Sequence, residues 1–160
     1  MAELFETLPC RFSKAGLIDN FPSETSQALL RRFTPADGRI EQVEFSDTAI
    51  HVRYADASES VRPQSTGELD SIRRDLEGFF SPKDGFERVV LVNLLDGVRI
   101  FFANGDIAHI RPSGNAPQLR VYAVADSQKR ADAIVARAAC DPDSILRRLE
   151  AALTSDQIRG

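Results

Sequence analysis

The sequence contains few of the residues that build metal sites and disulfide frameworks. Its 160 residues include two cysteines, two histidines, one methionine and no tryptophan. The spacing of Cys10, Cys140, His51 and His109 argues against a structural zinc site, and we expect no metal in this chain. Two cysteines in a cytosolic chain are usually small buried hydrophobic residues, and we expect this of Cys10 and Cys140.

The chain also has no excess of positive charge and no long apolar run. Twenty Lys and Arg against twenty-four Asp and Glu give a formal charge of −4. This balance argues against the broad electropositive surface that binds nucleic acid or anionic membranes, so a bound anion must be held locally. No apolar run approaches the roughly 20 residues that span a bilayer, and Met1 to Leu8 lacks the pattern of a signal peptide. We therefore expect a cytoplasmic protein with no nucleic-acid or membrane partner.

The composition is that of one globular domain. Apolar residues make up 42% and charged residues 28%, which suffices for a buried core, and we interpret residues 1–160 as a single domain. The first half predicts a short strand near Arg11 and Phe12 and a capped amphipathic helix over 24–33. A small hairpin over 39–54, a polar linker over 56–67 and a second helix over 68–80 follow.

The second half has the most regular pattern. Three β-rich runs over 89–95, 98–103 and 106–111 are separated by Asp96-Gly97 and Asn104-Gly105, dipeptides that favour tight hairpin turns. Val98, Ile100 and Phe102 share one face, and residues 118–124 supply a fourth strand. A helix capped by Ser127 or Asp126 runs to about Ala139, and Asp141-Pro142 starts another. The pattern predicts an α+β fold with a four-stranded antiparallel sheet, helices on one face, and an inserted small hairpin and helix.

The loop between the third and fourth strands of this meander is rich in donors. It reads Arg111-Pro112-Ser113-Gly114-Asn115-Ala116-Pro117, and Arg120 follows on the next strand. Gly114 permits unusual backbone angles, and such a loop can direct successive N–H groups at one anion while an arginine grips two phosphate oxygens. The alternative is a proline-stiffened turn whose arginine pairs with a nearby carboxylate. Spacing alone leaves both interpretations open.

The same residues resemble a known family. Asp96-Gly97-Val98-Arg99-Ile100, Asn104-Gly105 and the run from Arg111 to Arg120 are similar to the C-terminal domain (domain IV) of the phosphohexomutases, especially bacterial phosphomannomutase/phosphoglucomutase. Weaker similarity covers Leu8 to Phe33 and the helix after Asp126. The resemblance implies a four-stranded sheet like half of a TATA-binding-protein saddle. Residues 34–88 are longer than the family leads us to expect and are interpreted as an atypical insertion.

The resemblance implies a role for the loop. In the family, the corresponding loop binds the substrate phosphate that is not being transferred, so Arg111, Ser113, Gly114, Asn115 and Arg120 are the expected phosphate-binding residues. The more widespread family loop has Asn, Thr and Glu where this chain has Gly114, Asn115 and Ala116. No catalytic residue is expected in this chain.

The loops that carry the family's chemistry are missing from these 160 residues. They are the phosphoserine loop, the Asp-rich Mg²⁺ loop and the Gly-Glu-x-Ser-Gly sugar loop. The resemblance thus implies a domain of a phosphomannomutase-like isomerase, an intramolecular phosphotransferase of carbohydrate metabolism that interconverts hexose 1-phosphate and hexose 6-phosphate through a bisphosphate. Its expected partners are a mannose or glucose phosphate and the three other domains. We expect this chain alone to be inactive, and Mg²⁺ to be required by the full-length enzyme.

Two other functions fit parts of the sequence. A stand-alone phosphosugar-binding or regulatory module would use the same loop without catalysis. An RNA-binding sheet would use Phe101, Phe102 and Tyr122, but it needs exposed aromatic residues framed by basic ones, and Phe102 shares a face with Val98 and Ile100.

Overall fold

The computed structural model describes residues 10–64, 67–140 and 142–160. Within them the chain forms eight strands in one antiparallel sheet, with the order β1-β8-β7-β6-β5-β2-β3-β4. The strands are β1 (Phe12–Ile18), β2 (Ile40–Phe45), β3 (Ala49–Tyr54), β4 (Glu59–Pro63), β5 (Val89–Asn93), β6 (Val98–Phe102), β7 (Ile107–Pro112) and β8 (Leu119–Ala125). The fold is α+β, as predicted, but the prediction of a four-stranded sheet is wrong.

The sheet has eight strands because the first half of the chain extends it. Strand β2 pairs with β5 through Val43 and Val92, and β3 and β4 continue outward from β2. Strand β1 pairs with β8 at the other edge. The predicted hairpin over 39–54 is therefore present as β2 and β3, but it belongs to the main sheet. Strand β4 lies where the sequence predicts a polar linker.

Four α-helices are present in the described residues. They are α1 (Ser23–Phe33), α2 (Gly67–Phe79), α3 (Gln128–Val135) and α4 (Ile145–Arg159), with a 3-10 turn at Pro82–Asp84 and a π turn at Ala136–Cys140. Each helix contributes apolar residues to one core cluster, together with alternate residues of the strands. None of these helices has both the length and the apolarity that crossing a membrane requires.

Some helix boundaries differ from the predictions. Helix α1 has Pro22 at its N-cap and no side-chain cap bond, since proline has no side-chain acceptor. Helix α3 is capped by the Ser127 side chain, as predicted, but the π turn replaces its last predicted turn. Helix α4 is capped by the Ser144 side chain. The helix start predicted at Asp141 lies outside the described residues, and so do Met1 to Pro9.

The sheet has one covered and one open face. Val98, Ile100 and Phe102 are buried on the helix side, which confirms their predicted shared face. The opposite face is here called the open face, and it carries Arg99, Arg111, Arg120 and the half-buried Tyr122. The described helices therefore pack on one face of the sheet and leave the other face uncovered.

Both cysteines differ from expectation. Cys10 and Cys140 are free and exposed. Cys10 precedes the edge strand β1, and Cys140 ends the π turn, so neither reaches the core between helices and sheet.

Candidate functional site

Two arginines meet on the open face where β7 and β8 join. Arg111 and Arg120 are cross-strand partners, and Pro112 pairs with Leu119. Because Leu119 and Val121 are buried on the helix side, Arg120 between them points to the open face. Directly opposed residues of an antiparallel pair lie about 5 Å apart at Cβ. The register thus places the two arginines at directly opposed positions on the same face of the sheet.

The β7–β8 loop, residues 113–118, closes on itself between these arginines. The Ser113 N–H donates to the Gln118 carbonyl at 2.9 Å, and the Gln118 N–H donates to the Ala116 carbonyl at 2.8 Å. These two bonds narrow the base of the loop. Residues 114–116 are left at its tip.

The second half of the loop is anchored to the segment between β1 and α1. The Phe21 N–H donates to the Pro117 carbonyl at 2.8 Å, and Phe21 is fully buried. The Gln118 side-chain amide donates to Asp19 Oδ1 at 2.7 Å. From α4, Arg147 Nη2 donates to the Asp19 carbonyl at 2.7 Å. The base of the loop is therefore held by the helix layer.

The tip of the loop presents unused donors. The backbone N–H groups of Gly114, Asn115 and Ala116 have no hydrogen-bond partner among the described residues, nor do the side chains of Ser113 and Asn115. Gly114 and Asn115 are exposed. Unpaired N–H groups in contact with water can exchange their water for an anion. The tip therefore has donors that no hydrogen bond within the described residues uses.

Gly114 does not use the unusual backbone angles that glycine permits. It does not adopt a left-handed backbone, unlike Gly97 and Gly105. A Cβ added at Gly114 would meet no atom within 4 Å. Nothing within the described chain therefore requires glycine here, and the absence of a side chain only leaves space above the loop.

Arg111 has a carboxylate partner. Its Nε lies 3.3 Å from Asp96 Oδ2, and the two side chains are 49% and 59% exposed. The guanidinium makes no hydrogen bond to a described residue. The alternative interpretation, a turn whose arginine pairs with a carboxylate, thus agrees with the structure in the ion pair between Arg111 and Asp96. Because the pair is open to solvent, it leaves guanidinium N–H groups accessible to a ligand.

Arg120 is exposed and, within the described residues, has no ion pair or hydrogen bond. Beside it lies an open groove of about 280 Å³. The groove is lined by Ala15, Gly16, Leu17, Arg120 and Tyr122. The site therefore combines two cations, free N–H groups and adjoining space that is partly apolar.

Asp96 and His109 are neighbours of the site. The sequence predicts that His109 lies on the strand face of Arg111, either to support the phosphate or as a hydrogen-bonded strand histidine, whereas it does not indicate Asp96. His109 is 7% exposed, and its Nε2–H donates to the Asp96 carbonyl. Its Nδ1 lies 3.5 Å from Arg99 Nη2 and accepts from it. A histidine two residues before Arg111 shares its strand face, which was the signal available in the sequence. The sequence does not show that Asp96 lies across from Arg111.

The other candidates from the sequence are resolved by burial. Phe102 is buried, whereas Phe101 and Tyr122 are half-buried on the open face, so the aromatic platform of an RNA-binding sheet is incomplete. His51 is exposed. In the described ranges, no three His, Cys, Asp or Glu side chains lie together as a metal site requires.

Comparison with known proteins gives a consistent result. Residues 30–140 match the family model described as "Phosphoglucomutase/phosphomannomutase, C-terminal domain". The chain is 58% identical over 43 residues to a phosphomannomutase of Salmonella muenchen, covering 27% of this chain and 9% of that protein. It is 48% identical over 50 residues to a phosphomannomutase of Sinorhizobium fredii (strain NBRC 101917 / NGR234), covering 31% and 10%. The matches thus span about a tenth of the length of these curated relatives.

Proposed function

Because the chain belongs to the phosphoglucomutase/phosphomannomutase C-terminal domain family, we propose that the β7–β8 loop binds the phosphate group of a hexose phosphate. The observation that carries the proposal is the pairing of Arg111 with Arg120 beside unbonded N–H groups at the loop tip. A phosphate dianion is bound by several charge-assisted hydrogen bonds, and the exposed guanidinium and N–H donors of this surface support the proposal. The residues of the proposed site are Arg111, Ser113, Gly114, Asn115 and Arg120.

The proposed contribution to catalysis is positional. In a phosphomannomutase-like enzyme that interconverts hexose 1-phosphate and hexose 6-phosphate through a bisphosphate, the remote phosphate is held here while the other end of the sugar reacts elsewhere. Binding energy at a non-reacting group lowers the barrier when it fixes the reacting hydroxyl in line with the phosphoryl donor. The groove beside Arg120 gives the sugar space on the same face. A grip made of guanidinium and N–H groups can accept either phosphate after the intermediate turns end for end.

Other parts of the enzyme must supply the chemistry in this proposal. The phosphoserine, metal and sugar loops of the family are absent from the sequence. The described residues do not fit the Mg²⁺ expected in the complete enzyme, since they bring no three His, Cys, Asp or Glu side chains together as metal ligands. We therefore propose that the isolated chain has no mutase activity, and a coupled assay with mannose 1-phosphate tests this. Turnover by the chain alone would contradict it.

The binding role is tested by amide chemical shifts of the 160-residue chain. The ligands are mannose 1-phosphate, glucose 6-phosphate and inorganic phosphate, and we expect shifts concentrated in residues 111–120. Arg111→Ala should weaken binding about tenfold, the lower end expected for losing a charge-assisted hydrogen bond.

The matched control is Arg53→Ala. Arg53 lies on β3, four strands from β7, and the Arg53→Ala substitution removes the same charge as Arg111→Ala. We expect its effect to stay within about twofold, as for a screened distant charge. Equal losses for Arg111→Ala and Arg53→Ala would show that only net charge matters and would overturn the site.

A further inference from the structure

The turn between β5 and β6, residues 94–97, lies against the strand that carries Arg111. We propose that Asp96 and His109 are positioning residues that orient the Arg111 guanidinium for its anion. This inference rests on the proposed function of the loop, and it concerns two residues outside that loop. Three contacts between the turn and β7 carry it.

The first contact is between backbones. Val98 pairs with Ile110, so Gly97 lies beside Arg111. A Cβ at Gly97 would lie 2.2 Å from the Ile110 carbonyl oxygen and 3.3 Å from the Arg111 Cα, and Gly97 has a φ of +73°. Only glycine fits this approach and this backbone angle. The backbone of the turn is therefore packed directly against β7 beside Arg111.

The second contact is a hydrogen bond between the turn and the buried His109 side chain on β7. The His109 Nε2–H donates to the Asp96 carbonyl, and because a carbonyl only accepts, the proton of the neutral ring is on Nε2. Nδ1 is then free to accept from Arg99 Nη2, which lies 3.5 Å away. His109 is 7% exposed, so the imidazole end of this part-buried bond lies inside the protein. It fixes the backbone of the residue whose carboxylate faces Arg111.

The third contact is the carboxylate itself. Asp96 Oδ2 approaches the Arg111 guanidinium most closely at Nε, 3.3 Å away. An arginine on an open face otherwise samples many rotamers, and restricting them before the ligand arrives lowers the ordering cost of binding. The Asp96 charge also repels the incoming anion. Positioning and repulsion have opposite signs, so the proposal is testable with two substitutions at one residue.

The decisive pair is Asp96→Asn and Asp96→Ala. Asparagine keeps an oxygen toward Nε and removes the charge, whereas alanine removes both. We expect Asp96→Asn to bind inorganic phosphate at least as tightly as wild type, and Asp96→Ala to bind at least about threefold more weakly than Asp96→Asn. If the two variants bind phosphate equally tightly, Asp96 does not position Arg111 and the inference is overturned.

A spectroscopic readout follows the orientation directly. We expect the Nε–Hε resonance of Arg111, assigned by its loss in Arg111→Ala, to lie apart from that of Arg120, which has no partner in the described part of the chain. In Asp96→Ala it should move toward the Arg120 position. An Arg111 resonance that does not respond to Asp96→Ala would contradict positioning, whatever the phosphate affinity.

His109 is tested by His109→Gln and His109→Leu. Glutamine retains an N–H that can reach the Asp96 carbonyl, and leucine does not. We expect His109→Leu to move the Arg111 resonance and weaken phosphate binding, and His109→Gln to restore both. If His109→Leu unfolds the chain, the two Asp96 variants and His109→Gln still test the proposal. Absence of phosphate binding in wild type would overturn the proposed function, whereas equal binding by the Asp96 pair overturns only this inference.

Discussion

The two turns at the ends of β6 have similar sequences and different surroundings. Asp96-Gly97 precedes the strand and Asn104-Gly105 follows it, and both glycines have positive φ angles, +73° and +89°. Each turn also has an aspartate paired with an arginine from elsewhere in the fold. Asp96 pairs with Arg111, and Asp106, the residue after Gly105, pairs with Arg130.

The pair after β6 is part of the core boundary. The Asp106 side chain is 4% exposed, and Arg130 Nε approaches it at 2.7 Å. The Asn104 side-chain amide also donates to Asp106, at 2.9 Å. Arg130 continues to the Gly85 carbonyl at 2.6 Å and lies over the ring of Phe86. This network joins the turn to α3 and to the segment before β5.

The pair before β6 is open to solvent, with both side chains about half exposed. An exposed ion pair contributes little to stability, because water screens it and competes for both groups. A buried pair is held in place, because separating it leaves an uncompensated charge. The same turn chemistry therefore contributes to the fold where the ion pair is buried, and leaves both charged groups accessible to solvent where it is exposed.

We expect the largest loss of stability from a substitution that removes the buried Asp106–Arg130 ion pair. Asp106→Ala leaves Arg130 and Asn104 without their acceptor, and we expect a loss of about 3 kcal/mol in the free energy of unfolding. Asp96→Ala, the matched change at the exposed turn, should cost less than about 1 kcal/mol. Urea unfolding of both variants measures the difference. Similar losses would mean that burial does not distinguish the two pairs.

The two turn glycines give the next largest difference. Alanine at either position adopts a left-handed backbone at a cost of about 1–2 kcal/mol. At Gly97 the new Cβ would also clash with the Ile110 carbonyl, whereas at Gly105 the nearest atom is Arg11 Nη1 at 3.6 Å. We expect Gly97→Ala to cost about 1–3 kcal/mol more than Gly105→Ala because of this overpacking. Thermal unfolding of both variants tests this, and equal costs would contradict the close approach.

Gly114→Ala probes the loop rather than a turn. Its backbone is not left-handed and its Cβ would have open space, so we expect the unfolding free energy to change by less than about 0.5 kcal/mol. The methyl group would occupy the space above the free N–H groups, and phosphate affinity should fall about threefold. Titration with phosphate beside a denaturation curve separates the two quantities. A loss of stability without a loss of affinity would reverse the assignment.

The smallest effect concerns a third Asp–Arg pair, at the start of β2. Hydrogen bonds from the Arg39 side chain and backbone lower the pKa of Asp37 to about 2, from an ordinary value of 3.8. Because the pKa of Asp37 is lower in the folded chain than in the unfolded chain, its ionised carboxylate stabilises the folded chain at pH values above the unfolded pKa of 3.8. This contribution disappears as the pH falls toward 2. Arg39→Gln should raise the pKa of Asp37, as measured by its carboxyl ¹³C shift. An unchanged pKa would show that the pair does not form in solution.

Local chemistry made much of the second half predictable. The dipeptides at Gly97 and Gly105 require positive φ, and the structure confirms both turns. The alternation of Val98, Ile100 and Phe102 identified the buried face of β6 because a strand has a period of two. Strand β4 was not predictable in this way. Its residues are mostly exposed at an edge, and Pro63 within it argues against a strand everywhere except at an edge.

Long-range pairing limited the rest. Nothing local to Val43 or Val92 indicates that β2 joins β5, so the sequence predicted a separate hairpin instead of an eight-stranded sheet. The loop from Arg111 to Arg120 was recognisable by its donors and by family resemblance, and its role as a phosphate site stays a prediction. The pairing of Asp96 with Arg111 depends on the register of three strands, which residue types alone do not specify.

The anchoring of the loop at Asp19 has a mechanical consequence. The carbonyl of this one residue receives Arg147 from α4, and its carboxylate receives Gln118 from the loop. Asp19 thus links α4 to the base of the loop, in addition to the separate bond from the Phe21 N–H to the Pro117 carbonyl. A change in the position of α4 would therefore act on the base of the loop through Asp19, whereas Arg111 and Arg120 lie on paired strands outside this connection.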